Sequence, residues 1–170
     1  MIQAEGYAID FPKATNLYLF DQTDNMSPYF HGVNAFKKVD VMAEFPDRHL
    51  WIEIKTYNAH TVKSMMTNTK QRVTKELLRD DLVGKFKDTF LYRYAEKQLK
   101  KPIYYVCLMD FGDEAKFIYE YLNKELKKIL PNKSISSRWK IDFVSGIIVL
   151  NPSRWNRTAE LAAYGKITKL

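Results

Sequence analysis

Residues 36–57 read FKKVDVMAEFPDRHLWIEIKTY, and they contain the strongest secondary-structure signal in the chain. Two apolar runs, 36–45 and 50–56, flank the tetrapeptide PDRH at 46–49, whose composition is typical of a tight turn. We therefore predict a β-hairpin, closed either by a two-residue turn at 47–48 or by all four residues of the tetrapeptide.

Both turns give the hairpin the same register. The facing pairs are Phe45 with Leu50, Met42 with Glu53, and Asp40 with Lys55, and facing residues share one side of the hairpin. A slip of one residue would mix charged and apolar side chains on each side, so the pattern selects this register. The apolar side is predicted to hold Val39, Val41, Ala43, Phe45, Leu50, Ile52 and Ile54, and the other side Asp40, Met42, Glu44, Trp51, Glu53 and Lys55.

The charged side contains a candidate active site made of Asp40, Glu53 and Lys55. In the predicted register Asp40 and Glu53 are diagonal neighbours, with Cβ atoms roughly 7 to 8 Å apart. A magnesium ion commonly takes one or two carboxylates together with water and substrate oxygens, which two such acids could provide. Lys55 adds a compact positive charge that could hold a water or stabilise negative charge on a phosphate.

The stretch VDVMAEFPDRHLWIEIK at 39–55 resembles the signature of the PD-(D/E)XK nuclease superfamily, which has the restriction endonuclease-like fold. Asp40 matches the first acid, and Glu53-Ile54-Lys55 matches the ExK tripeptide. The helix and the strand that follow fit the order of that family's core, so the resemblance covers roughly residues 15 to 110. It implies that Asp40, Glu53 and the backbone carbonyl of Ile54 bind Mg²⁺ or Mn²⁺, while Lys55 orients the attacking water.

The rest of the chain alternates between strand and helix patterns. Spacing of apolar residues indicates one long or broken helix at 67–101, with Gly84 as the expected break, and a second helix at 113–130 that Asp110 or Asp113 could cap. Further strands are predicted at 15–20, 103–111 and 141–150. The order favours one α/β domain over 1–170, with a restriction endonuclease-like core in which helices flank a mixed β-sheet.

Composition narrows the class of protein and its partners. The chain has 27 basic and 20 acidic residues, a net charge of +7 and a pI near 9.3, which favours a polyanionic partner such as nucleic acid. Cys107 is the single cysteine, so an intramolecular disulfide is excluded and a reducing compartment is favoured. No apolar run approaches ~18 residues, so we expect no membrane partner and a cytoplasmic location.

Basic residues outside the hairpin are candidates for nucleic-acid contact. One group follows the long helix, where a solvated face balanced by acidic residues is the alternative interpretation. The other joins cations to an indole near the C-terminal end, where core packing of the tryptophan is the alternative. The candidates are Lys63, Lys70, Arg72 and Arg93 in the first group, and Arg154 and Trp155 in the second; Lys75, Arg79, Lys85 and Lys87 are predicted to share the helix face.

These observations predict a metal-dependent nuclease that hydrolyses phosphodiester bonds in DNA. We expect an endonuclease of DNA repair, recombination or defence, and a homodimer if each site cuts one strand of a duplex. The alternative is a catalytically inactive module that keeps the nuclease fold and binds nucleic acid or protein.

Overall fold

The computed structural model describes residues 1–57, 60–63, 76–112, 115–132 and 137–170. Its strands are β1 (Ile2–Ala4), β2 (Tyr7–Asp10), β3 (Asn16–Leu19), β4 (Val41–Glu44), β5 (His49–Thr56), β6 (Ile103–Asp110), β7 (Gly146–Leu150) and β8 (Lys166–Lys169). Its helices are a π-helical segment (Leu77–Val83), α1 (Gly84–Ala95), α2 (Lys116–Ile129), α3 (Pro152–Arg157) and α4 (Ala159–Ala162).

The predicted hairpin lies at the centre of a five-stranded sheet with the order β3-β4-β5-β6-β7. Strands β3, β4 and β5 pair antiparallel, whereas β5, β6 and β7 pair parallel, so the sheet is mixed. Each parallel pair needs a crossover, and α1 and α2 fall in the two crossovers. The prediction of an α/β fold with a mixed sheet and flanking helices is confirmed.

A second sheet has the order β1-β2-β8 and is antiparallel throughout. The sequence analysis predicted none of its strands. Each has only three or four residues, which is too short for alternation of side chains to be distinctive.

The apolar side of the hairpin packs against this small sheet and α3. Six of its seven predicted members, Val41, Ala43, Phe45, Leu50, Ile52 and Ile54, share a core with Ile9, Trp155 and Ile167; Val39 lies in the other core. On the opposite side, Met42 and Trp51 pack beneath the π-helical segment, α1 and α2. The molecule therefore has three layers, and β5 is buried on both of its faces.

The register of the hairpin differs from the prediction by two residues. Val41 pairs with Ile52 and Ala43 with Leu50, and the Phe45 amide donates to the carbonyl of Arg48. The turn therefore consists of residues 46–47. Side chains alternate with a period of two, so a shift of two preserves the sorting into faces but brings Asp40 opposite Glu53 instead of Lys55.

The helical predictions are partly confirmed. Much of the first predicted helix falls in 64–75, outside the described residues, and its described part changes from π- to α-helical geometry at Gly84, where a break was expected. Helix α2 begins after Ala115, which provides no side-chain cap, so the predicted cap by Asp110 is wrong; Asp113 is outside the described part. The Asp110 carboxylate instead accepts from Tyr7 and Lys169.

Among the described helices, none combines the length and apolar character needed to cross a membrane.

Candidate active site

Asp40 lies one residue before β4, at the point where the pairing of β4 with β5 ends. Its carbonyl accepts from the Phe20 amide, which ties it to the end of β3. Its carboxylate Oδ2 accepts from the Ile54 amide at 2.6 Å. If β4 continued, one of its backbone carbonyls would accept from the Ile54 amide. The Asp40 carboxylate takes this place, and the hydrogen bond holds it beside β5.

Glu53 occupies the centre of β5 and is completely buried, with 0% of its surface exposed. Its Oε1 lies 2.8 Å from Lys85 Nζ and 3.5 Å from Lys55 Nζ, so it forms ion pairs with both lysines. Its Oε2 has no hydrogen-bond partner among the described residues. Buried polar atoms normally have a hydrogen-bond partner, so this oxygen is an acceptor that a bound ligand could satisfy.

Lys85 completes the cluster, and the sequence analysis missed its role. It projects from the first turn of α1, and its ammonium lies 2.9 Å from Asp40 Oδ1 and 2.8 Å from Glu53 Oε1. The predicted location of Lys85 on a solvated helix face is therefore wrong. Thr89 and Arg93 follow at four-residue intervals on the same side of α1: Thr89 accepts from the Val39 amide, and Arg93 contacts Glu44. A polar stripe of the helix thus lies along β4.

The electrostatics of the cluster follow from burial and proximity. Burial first, and then repulsion by Asp40, raise the pKa of Glu53 to about 8 despite the opposing effect of Lys85. Burial alone would lower the pKa of Lys85, but attraction to Glu53 and Asp40 outweighs it and raises that pKa. The two carboxyl groups therefore require a cation close by in order to be ionised together.

Lys55 lies at the outer edge of the cluster. Its side chain is 30% exposed, so its ammonium is accessible from solvent while remaining near Glu53. Between these two residues, the Ile54 amide points toward Asp40. Because the N–H and C=O of one residue in an antiparallel strand point to the same neighbour, the Ile54 carbonyl is directed toward the Asp40 side as well.

The donors fit a divalent cation, although the described residues contain no cluster of three or more His, Cys, Asp or Glu side chains with metal-binding geometry. The Lys85 ammonium contacts one carboxylate oxygen of Asp40 and one of Glu53, and the Ile54 carbonyl lies on the strand edge that faces Asp40. All three groups are hard oxygen ligands of the kind that Mg²⁺ prefers. The unsatisfied Oε2 of Glu53 supplies an acceptor without a competing donor among the described residues.

The candidate residues for nucleic-acid contact have different outcomes. Two predictions are wrong: Arg93 is 7% exposed and bound to Glu44 and Glu96, and Trp155 is 0% exposed. The Trp155 ring stacks on Phe11 at 5.4 Å and its Nε1 donates to the Gly165 carbonyl, so it cannot stack on a base. Lys63 and Arg154 are exposed, as that role requires, whereas Lys70 and Arg72 lie outside the described residues.

Comparison of the chain with models of known families, with curated proteins and with solved structures finds no match. The assignment of a function therefore depends on the site itself.

Proposed function

We propose that this protein is a metal-dependent nuclease of the PD-(D/E)XK type that hydrolyses phosphodiester bonds in DNA. One observation carries the proposal: Asp40 and the buried Glu53 lie side by side, with Lys55 two residues beyond Glu53 at the accessible edge. This arrangement supports the roles that the sequence motif predicts for the two acids and the lysine.

The arrangement of strands supports a restriction endonuclease-like core. Hairpin β4-β5 presents both acids, the π-helical segment and α1 follow it, and β6 then returns parallel to β5. This is the order expected from the resemblance. The third layer, made of the small sheet and α3, would be an addition to that core.

Asp40, Glu53 and the Ile54 carbonyl would hold Mg²⁺ or Mn²⁺, which supplies Lewis-acid stabilisation of the phosphate and lowers the pKa of bound water. Lys55 would orient the attacking water and stabilise the charge that develops on the phosphate. The water oxygen forms a new bond to phosphorus and releases a proton to solvent, one ester P–O bond breaks, and the leaving oxygen takes a proton from solvent. Glu53 contributes only when ionised.

The choice of DNA as substrate is supported by the net charge of +7 and by exposed cations such as Lys63 and Arg154. An endonuclease acting in repair, recombination or defence, working as a homodimer on duplexes, is the form of the proposal that we would test first.

The test is cleavage of supercoiled plasmid, branched DNA and single-stranded DNA in Mg²⁺ or Mn²⁺. We expect Glu53→Gln and Lys55→Met each to reduce cleavage by about 100-fold or more, since each removes a group that acts on the transition state. Glu120→Gln and Lys127→Met, which change exposed residues of α2, are matched controls that should retain activity. Equal cleavage by the wild type and both site variants would refute the assignment.

The alternative of a non-catalytic nucleic-acid-binding module is favoured by one observation. The Lys85 ammonium already forms an ion pair with each of the two acids, as it would in a site that has lost its metal. That module would bind DNA with strong salt dependence but cleave none of the three substrates in either metal.

A further inference from the structure

We propose that the Lys85 ammonium is a built-in occupant of the cation position, and that a divalent ion has to displace it in order to bind Asp40 and Glu53. This inference rests on the proposed function, because it concerns the same site. It assigns to Lys85 a role in positioning the two carboxylates and in setting metal affinity.

The contacts of Lys85 show why its ammonium and a metal ion would compete. Nζ lies within 2.9 Å of one oxygen from each acid, Asp40 Oδ1 and Glu53 Oε1. A magnesium ion bound by both acids needs oxygens at about 2.0 to 2.1 Å, so it would have to approach the same pair of carboxylates. Two cations that close together repel strongly in a buried site, so only one can remain between the acids.

The remaining contacts in the cluster show which group would yield. Asp40 is held on both sides, by the Phe20 amide on its carbonyl and by the Ile54 amide on its carboxylate. Glu53 belongs to a strand paired on both edges. Lys85, by contrast, is attached through a flexible four-carbon stem, and among the described residues its ammonium contacts only the two acids.

In the metal-free protein, the Lys85 ammonium stabilises the two buried carboxylates. Two buried carboxylates facing each other without a cation would destabilise the fold, because each charge loses its hydration. Lys85 supplies that cation until a metal arrives. Displacement of Lys85 then weakens the apparent affinity for metal, because part of the binding free energy is used to break its two ion pairs.

The affinity test uses the full chain and Mn²⁺ alone, with dissociation constants measured by titration calorimetry and by electron paramagnetic resonance. We expect Lys85→Met, which keeps the length of the side chain but removes its charge, to bind Mn²⁺ on the order of tenfold more tightly than the wild type. Lys87→Met is the matched control, since Lys87 is an exposed lysine of the same helix, and its dissociation constant should equal that of the wild type.

A second measurement on the wild type avoids dependence on the folding of the variant. Amine-reactive labelling followed by peptide mass spectrometry reports how accessible each lysine is. We expect labelling of Lys85 to rise several-fold when Mn²⁺ is saturating, while labelling of Lys87 stays constant.

The outcomes separate this inference from the function on which it rests. If Lys85→Met binds Mn²⁺ no more tightly than the wild type, or if labelling of Lys85 is unchanged in a wild-type protein that binds Mn²⁺, the inference is wrong and the nuclease proposal stands. If neither the wild type nor Lys85→Met binds Mn²⁺, both are wrong. Tighter binding together with increased labelling supports displacement.

Discussion

Helix α1 contributes one cation to each of two charged clusters, and the two clusters differ in how completely they are satisfied. At its last turn, Arg93 divides its guanidinium between Glu96 at 2.8 Å and Glu44 at 3.1 Å, and Glu44 also accepts from the Tyr18 hydroxyl. At its first turn, Lys85 lies between Asp40 and Glu53, and Glu53 Oε2 has no partner among the described residues.

Under the proposed function, this difference separates an ion pair that stabilises the fold from one that belongs to a metal-binding active site. The planar fork of Arg93 matches carboxylates and fixes α1 against β4. The point charge of Lys85 contacts one oxygen of each acid, and Oε2 of Glu53 remains without a hydrogen-bond partner among the described residues. Proteins commonly accept some loss of stability at such functional sites.

The largest expected effect is that of breaking the Arg93 cluster. Arg93→Met should lower the free energy of unfolding by about 3 kcal/mol, because it leaves the partly buried Glu44 carboxylate with only the Tyr18 hydroxyl as partner among the described residues. Chemical denaturation measures this. Lys87→Met should change stability by less than about 0.5 kcal/mol, and a similar cost for both variants would remove the structural role assigned to Arg93.

Neutralising one glutamate in each cluster should give effects of opposite sign. Glu44→Gln should lower the free energy of unfolding by about 1 to 3 kcal/mol, because it weakens a charge-assisted hydrogen bond.

The pKa of Glu53 near 8 lies above its ordinary value of 4.5, so folded wild type retains a proton that the unfolded chain releases. That contribution to stability is complete below pH 4.5 and is lost as pH rises through 8.

Glutamine does not titrate, so the Glu53→Gln variant should not share the loss of stability that wild type shows as pH rises. The difference in unfolding free energy, variant minus wild type, should increase by at least about 1.4 kcal/mol, the equivalent of one pKa unit, from pH 5 to pH 9. Denaturation in a chelating buffer at several pH values measures the difference. A constant difference between Glu53→Gln and wild type over this range would show that Glu53 is ionised as easily in the fold as in the unfolded chain.

The smallest expected effect on stability is that of Lys55→Met. Lys55 is 30% exposed and 3.5 Å from Glu53, so its ion pair should contribute less than about 1 kcal/mol. Cleavage should nevertheless be lost, as proposed above. A large loss of stability would instead place Lys55 among the structural cations, together with Arg93.

Alternation of side chains predicted the hairpin and the content of its two faces, because burial of one face acts on every second residue. It could not determine the register, since a shift of two residues produces the same faces. Face sorting therefore brought Asp40, Glu53 and Lys55 to one side, while the direct opposition of Asp40 and Glu53 came only from the structure.

Lys85 and Trp155 show that the sequence pattern alone does not distinguish an exposed side of a helix from a buried one. Lys85, Thr89 and Arg93 have the four-residue spacing of a solvated helix face, and only the position of β4 shows that this stripe is covered. Trp155 stands among arginines, yet α3 has a single turn or so and buries the one large apolar residue it carries. In both cases long-range packing, rather than local sequence, decided which side of a helix is exposed.

The pairing of β2 with β8 also affects how the chain can fold. Ile9 faces Ile167 across this pair, so two segments far apart in sequence must meet before the small sheet exists. Contacts of such long range form slowly because the entropy of closing the intervening chain is lost first. During synthesis, the apolar side of the β4-β5 hairpin is therefore not fully covered until β8 has been made, and we expect this nascent stage to be the one most prone to aggregation.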